Sequence, residues 1–250
     1  DVDWSFLNGK RFCVRFKHVK RYLGDVATPL AERTLGAVAL RHASLARVDL
    51  KSPDIVVRGI ASEGFVVLGV RLEVLDTRQF HLRRPRSRPF FHPGVLSPKL
   101  SRLFVNLSRP RRGEVMLDPF CGSGGFLIEC ALMGVRCIGS DISEYMVRGA
   151  LMNVRYYGLD GLVELLSADA LRLPYRHVQS ISTDPPYGRS TSTMGRSVSE
   201  IVEGFLHEAA DLVDRGGYIV YATPHDVDAA SMARNAGLEV CLLYTSDAAD

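Results

Sequence analysis

The chain has 250 residues, enough to bury one large or two ordinary cores, and its 46% hydrophobic and 24% charged content is that of a soluble globular protein. No apolar run approaches a membrane span and the charged start Asp1-Val2-Asp3-Trp4 is no signal peptide, while five cysteines (Cys13, Cys121, Cys130, Cys137, Cys241) without paired metal spacing read as reduced thiols in a cytoplasm. The net charge of +3 hides an asymmetry, 22 Lys/Arg against 9 Asp/Glu in residues 1–112 and 9 against 19 in residues 113–250, so the first half suits a polyanion unless its surface is merely unevenly solvated.

There is no initiator Met, and Arg11 to Phe16 already alternates as a strand, so the chain is expected to begin inside a domain. Thr28 to Leu40 is expected to be a helix, with Thr28 as cap, Pro29 at the first position, and Leu30, Thr34, Leu35, Val38 and Ala39 at helical spacing. Ile55 to Ile60 and Gly64 to Val70 read as two strands joined by Ala61-Ser62-Glu63. The first hundred residues thus read as a small α+β unit. Arg83-Arg84-Pro85-Arg86-Ser87-Arg88-Pro89 is basic and broken by proline, so residues 81–96 read as a linker whose cations are available to phosphates, or are simply solvated. Ser97 to Leu107 reads as a short amphipathic helix capped by Ser97, with Leu100, Leu103, Phe104 and Leu107 on one face.

From Glu114 strands and helices alternate, the pattern of a parallel sheet covered by helices on both faces. Strands are expected at Val115–Leu117, Arg136–Ser140, Val163–Leu166, Val178–Thr183, Tyr218–Ala222 and Leu238–Leu243. Helices are expected at Gly125–Met133, Ser143–Tyr157, Glu200–Val213 (ended by Gly216-Gly217) and Asp226–Asn235.

Two stretches carry chemistry. Asp118-Pro119-Phe120-Cys121-Gly122-Ser123-Gly124-Gly125 follows a strand and opens a helix, where glycines let backbone approach a nucleotide-like ligand. It is neither a P-loop nor a Gly-x-Gly-x-x-Gly fingerprint. Asp118, Asp141 and Asp169 fall at successive strand ends, which line one crevice in such a sheet, and Asp141 is placed to grip ribose hydroxyls. Any one of them could instead be only a helix cap. The second stretch is Asp184-Pro185-Pro186-Tyr187. The lone pair of a nucleobase exocyclic amine is delocalised into the ring. A carboxylate accepting one N–H bond, with a backbone carbonyl fixed by the prolines, can draw that nitrogen towards tetrahedral geometry, while Tyr187 stacks on the base. An Asp-Pro-Pro turn can also arise by chance. Together the stretches read as methyl transfer to a nucleobase amine. Cys121 lies in the cofactor turn and reads as a packing thiol, which argues against covalent cysteine catalysis. His92, His177, His207 and His225 have no mutual ligand spacing; His92 could lie near the substrate, and no metal site is expected.

At these residues the chain resembles the S-adenosylmethionine-dependent class I methyltransferases with an Asp/Asn-Pro-Pro-aromatic motif. More narrowly it resembles the THUMP-domain tRNA guanine-N2 methyltransferases, archaeal type, that modify position 10. The narrower likeness rests on Arg84 to Gly94, Ser97-Pro98-Lys99-Leu100, Asp118 to Gly125, Asp184 to Ser190, and Val48 to Asp54 in an RNA-binding THUMP-like unit. It implies a Rossmann-like α/β methyltransferase domain at 97–250, a THUMP-like α+β domain at 1–80 and the basic linker between them, with both domains partial and a C-terminal strand missing. It implies catalytic roles for Asp184, Pro185, Pro186 and Tyr187, with Asp184 as hydrogen-bond acceptor and candidate base. S-adenosylmethionine would meet Asp118, Pro119, Phe120, Cys121, Gly122, Ser123, Gly124 and Gly125. Its ribose would meet Asp141 beside Ile142, its adenine edge Asp169 beside Ala170, and its methionine end the region holding His92 and Ser97. tRNA would meet Lys51, Arg83, Arg84, Arg86 and Arg88, and a small activating protein subunit is compatible with the likeness. Methylation of ribosomal RNA at guanine N2 or of DNA at adenine N6 is the alternative chemistry. An RNA-binding module with an idle methyltransferase fold is the alternative of another class.

Overall fold

A computed structural model describes residues 2–19, 27–62, 65–186 and 195–244. The chain divides into two units, 1–76 and 77–250. Among the described residues no helix is long and apolar enough to cross a membrane.

In the first unit, strands β1 (Arg11–His18), β2 (Arg47–Val48), β3 (Ile55–Ser62) and β4 (Phe65–Val70) form a sheet of order β2-β1-β3-β4. β1 runs parallel to β2 and β3, and β4 is antiparallel to β3. Helix α1 (Thr28–His42) covers it, burying Ala31, Gly36 and Ala39 over Phe12, Val14 and Val57. Its cap is Ala27. Leu30, 57% exposed, and Thr34 point outward, because the small side chains are the ones that let the helix sit close to the sheet. Glu32 reaches from α1 to accept from the Phe16 N–H at 2.9 Å.

The stretch expected as a linker is folded into the second unit. It holds helix α2 (Arg78–Leu82) and a 3-10 turn at Pro85–Ser87. Two of its arginines turn inward: Arg83 donates twice to the fully buried Glu129, at 2.8 and 3.1 Å, and Arg88 is only 5% exposed. Helix α3 (Pro98–Leu107) follows, capped by Ser97, whose Oγ accepts from the Leu100 N–H. Its inner face is Pro98, Ser101 and Val105, while Leu100, Leu103 and Leu107 are exposed. Of the expected face only Phe104 packs inward. Small residues turn inward because α3 lies against helix α4 (Gly125–Ala131), buried along its whole length, with the Phe104 ring tilted against Phe126 at 5.4 Å.

The main sheet holds β5 (Val115–Asp118), β6 (Arg136–Asp141), β7 (Val163–Ser167), β8 (Val178–Thr183) and β9 (Val213–Tyr221) in the order β7-β6-β5-β8-β9, all parallel. The order reverses between β5 and β8, so a crevice opens outside their carboxyl ends. β5 and β8 are almost wholly buried, as strands covered on both faces must be. Helices α5 (Glu144–Tyr156) and α6 (Val198–Leu212) complete the layers, with α7 (Ala229–Asn235) beside α6. Ser197 and Glu200 form a reciprocal capping box on α6.

Gly216 and Gly217 do not end a helix. They lie inside β9, which follows α6 directly, at a register shift where Ser180 pairs with Tyr218. Gly216 has φ +82°, and a Cβ on Gly217 would stand 2.5 Å from the Gln179 carbonyl, so the bulge needs both glycines. The strand expected at Leu238–Leu243 does not form: this segment has no ladder partner among the described residues.

Candidate active site

The glycine turn is built by local geometry and closed by one carboxylate. After β5 the chain turns at Gly122 (φ +50°) and Gly124 (φ +83°), left-handed conformations that disfavour a side chain. A Cβ on Gly124 would also press on Ala150 of α5 at 3.4 Å. Asp141, at the end of β6, accepts from the Gly122 N–H at 3.0 Å with one oxygen and from the Ser143 N–H at 2.9 Å with the other. Burial raises its pKa; the two N–H donors and nearby His92 oppose that. The Cys121 thiol is buried and pushed well up by desolvation, the state of a packing group.

Around this turn lies a cavity of about 560 Å³, within the range of small-molecule and cofactor sites. Its wall includes Pro119, Phe120, Cys121, Gly122, Ser123 and Gly125 from the turn, Asp141 and Ile142 after β6, and Asp169 and Ala170 after β7. Asp184, Pro185 and Pro186 after β8 line the same cavity, as does His92. Two stretches far apart in sequence therefore share one space. Tyr187 lies outside the described residues. A second cavity, of about 520 Å³ beside Thr223 and His225, holds no residue of either stretch.

Three residues expected at the cofactor stand elsewhere. Asp118 is fully buried beneath the turn, where Oδ1 accepts from Thr183 Oγ1 at 2.7 Å and the Phe120 N–H at 3.3 Å. Desolvation raises its pKa to about 8. It braces β5 to β8 from inside the sheet. Gly124 packs on α5, and the Ser97 hydroxyl caps α3; neither is in the cavity wall.

The cations expected at RNA divide in the same way. Lys51, Arg84 and Arg86 are exposed. Arg83 and Arg88 are not free for phosphate: the first is bound to Glu129 and the second is buried. A charge run in sequence carries no sign of which member pairs with a distant acid.

Sequence reasoning missed three residues. Arg196 lines the cavity and pairs with Asp169 at 3.1 Å. Asn153, buried on α5, clasps both walls: its Oδ1 accepts from the Phe90 N–H, and its Nδ2 donates to the carbonyls of Phe90 and Ser123, all near 3 Å. Glu129 collects Arg83 and Arg102 at 2.8 and 3.0 Å. For Asn153 and Glu129 the available signal was a polar residue on the apolar face of a helix; Arg196, in the loop before α6, left none. Among the described residues no group of three or more His, Cys, Asp or Glu could hold a metal ion.

A family described as RMKL-like, methyltransferase domain, matches residues 85–245. The chain is similar to a tRNA (guanine(10)-N2)-dimethyltransferase of Methanothermobacter thermautotrophicus, 42% identical over 234 residues, covering 93% of this chain and 68% of that one. A protein of the same name from Methanocaldococcus jannaschii is 35% identical over 238 residues, covering 91% and 65%. The chain thus spans about two thirds of the length of these relatives. Among solved structures, TrmN from Thermus thermophilus matches with a TM-score of 0.50 and 26% identity, over 95% of this chain and 68% of that one.

Proposed function

The chain belongs to the family of the tRNA (guanine(10)-N2)-dimethyltransferases, with an RMKL-like methyltransferase domain, and from that premise we propose that it methylates the exocyclic N2 amine of a guanosine in tRNA, at position 10, once or twice. The observation that carries this reading is the single cavity shared by the glycine turn and by Asp184-Pro185-Pro186.

The residues present fit S-adenosylmethionine. A glycine turn leaves backbone open to the ligand, Asp141 and Asp169 stand at successive strand ends to accept from hydroxyls and an adenine amine, and the volume is sufficient. When bound, that cofactor supplies an electrophilic methyl group on sulfur. The chain holds the acceptor amine in line with it. Asp184 accepts one N–H hydrogen bond from the amine, the Pro185–Pro186 backbone fixes a second acceptor, and lone-pair density is freed for attack. Tyr187 stacks on the base, which must leave its stem to reach the cavity. The first unit serves as the THUMP-like RNA-binding part, reading shape and backbone rather than sequence. We place the enzyme in the cytoplasm with its substrate.

The test is nucleoside analysis of an unmodified tRNA transcript incubated with the purified chain and S-adenosylmethionine, beside Asp184→Asn. N2-methylated guanosine formed only by the unaltered chain supports the reading, and activity of the purified chain with no second protein present answers whether a small activating subunit is needed. Cofactor and RNA binding with no methylation in any tRNA would favour an RNA-binding role. Methylation of ribosomal RNA or DNA in place of tRNA would redirect the substrate.

A further inference from the structure

Arg196 is the one lysine or arginine among the described residues of the cavity wall, which also carries the carboxylates of Asp141, Asp169 and Asp184. It lies on the chain that leads from the Asp184-Pro185-Pro186 turn into α6, directly before the cap Ser197. Ile201, in the first turns of α6, lines the same cavity, while Val198 and Ser199 line the second one beside Thr223 and His225. The start of α6 thus stands between the two cavities, with Arg196 at the rim of the first.

The contacts of Arg196 leave much of its guanidinium for another ligand. Its Nη1 alone serves Asp169, at 3.1 Å to Oδ2 and 3.4 Å to Oδ1, so the pair is a one-nitrogen contact and not a two-nitrogen fork. The two side chains are 43% and 28% exposed, and an ion pair so well wetted holds its members loosely. Glu200, whose charge Arg196 also feels, uses Oε2 to accept from the Ser197 N–H and hydroxyl at 2.7 and 2.9 Å. The other basic group of the wall, the His92 imidazole, lies towards Asp141 and holds its Nδ1 against the Pro93 carbonyl at 2.8 Å.

A nucleotide that leaves its stem to reach this cavity brings charge with it, since each phosphate linking it to its neighbours is an anion. Such a phosphate meets three carboxylates in the wall and one guanidinium at the rim. The guanidinium is the group whose planar N–H donors match phosphate oxygens. We infer that Arg196 binds a backbone phosphate adjoining the target guanosine, holding the extruded nucleotide at the mouth while Asp184 takes its amine. The inference rests on the function proposed above. It places an RNA contact in the acidic half of the chain, where 9 Lys/Arg stand against 19 Asp/Glu and the charge balance alone points to none.

The experiment measures tRNA binding across a range of salt, with S-adenosylhomocysteine at saturation, for the unaltered chain, Arg196→Met and Arg196→Lys. Arg196→Met should weaken binding by on the order of 10-fold and lower the slope of log affinity against log salt by about one unit. Arg196→Lys, which keeps the charge without the fork, should keep the slope and recover part of the affinity. Calorimetric affinity for S-adenosylhomocysteine should change by less than about threefold in either variant, as expected for loss of an exposed ion pair.

A second measurement locates the phosphate. A tRNA carries a neutral methylphosphonate on the 5′ or the 3′ side of the methylated guanosine, beside a 2′-deoxyribose that protects the linkage. The control is the same deoxyribose with an ordinary phosphate. On one of the two sides the unaltered chain should lose about tenfold in affinity and Arg196→Met nothing further. An unchanged salt slope in Arg196→Met would overturn the inference, as would methylphosphonates that weaken both proteins equally. No loss on either side with the unaltered chain would overturn it even if the variant did not fold. A variant that loses S-adenosylhomocysteine and tRNA together marks Arg196 as a cofactor or structural residue and overturns it too. An unaltered chain that binds neither ligand would instead overturn the function proposed above.

Discussion

Thr183 donates its hydroxyl to Asp118 across 2.7 Å, tying the ends of β8 and β5 together where neither residue has any exposure. This bond sits between the two stretches that carry chemistry, since Asp118 opens the glycine turn and Thr183 directly precedes Asp184. The Oδ2 of Asp118 has no hydrogen-bond partner. A buried oxygen of that kind favours the neutral acid, with the proton on Oδ2, and the pKa near 8 reflects the same desolvation.

A pH dependence of stability follows. The folded chain keeps Asp118 protonated up to about pH 8, whereas the unfolded chain releases that proton near the ordinary carboxyl value of 3.8. Between those values the folded state holds more protons, so this group lowers stability steadily as pH rises and contributes nothing further above the folded pKa. The full span is on the order of 5 kcal/mol. Urea unfolding at pH 5, 6.5 and 8 should show a fall that Asp118→Asn, a near-isostere of the neutral acid, largely removes. Parallel profiles for the two proteins would exclude a neutral Asp118.

Glu129→Gln should be among the most destabilising single changes in the second unit. It leaves Arg83 and Arg102 without their buried counter-charge beside an already unpaired Arg88, a loss of about 3–5 kcal/mol for a broken buried pair. Glu144→Gln removes the exposed i,i+4 partner of Arg148 and should cost no more than about 0.5 kcal/mol. Denaturant midpoints for the two variants should differ accordingly, and similar midpoints would show that the buried cluster carries little net energy.

Gly149→Ala should damage the cofactor site without touching it. The added Cβ would stand 2.2 Å from the Phe90 ring, which Asn153 holds by both its N–H and its carbonyl and which packs edge-on against Tyr145 of the cavity wall at 5.2 Å. The contact reaches the ring's Cγ at 2.5 Å, so the ring must leave its place, and with its backbone held by Asn153 the displacement falls on its packing against Tyr145 in the wall. S-adenosylhomocysteine binding should weaken by about tenfold or more, a few kcal/mol of strain being partly expressed at the site. Unchanged affinity would show that Phe90 can swing away freely.

What could be read from sequence followed periodicity and local chemistry. The parallel strands, their terminal acids and the glycine turn each leave a signature within a few residues, and α6 carries its cap as Ser197 with Glu200 three positions on. What could not be read depended on distant partners. The inward face of α3 is set by α4, so three leucines that look like a core face are exposed. Arg83 and Arg88 look like their exposed neighbours Arg84 and Arg86 until Glu129, on another helix, is brought beneath them. Gly216-Gly217 reads as a stop, yet serves a bulge that only the register with β8 requires. Asp118 shows the same limit at the site: a strand-end acid was foreseeable, but its burial under Thr183 was not.

The division among the arginines gives a separate prediction for RNA. Arg84 and Arg86 are exposed, whereas Arg83 is committed to Glu129. A side chain that contacts phosphate releases counterions and adds about one unit to the salt dependence of log affinity. Changing Arg84 and Arg86 together to Ala should therefore weaken tRNA binding and flatten its dependence on log salt by about one to two units, with the unfolding midpoint unchanged. Arg83→Ala should do the reverse, lowering the midpoint because it strips a buried carboxylate of a partner, and leaving the salt slope of the protein that remains folded as it was. Filter binding of tRNA across 50–300 mM salt (about a sixfold range, wide enough to fix a slope) separates the two. A slope that flattens only with Arg83→Ala would mean that the buried pair opens when RNA binds, and a slope indifferent to all three would remove this stretch from the RNA-binding surface.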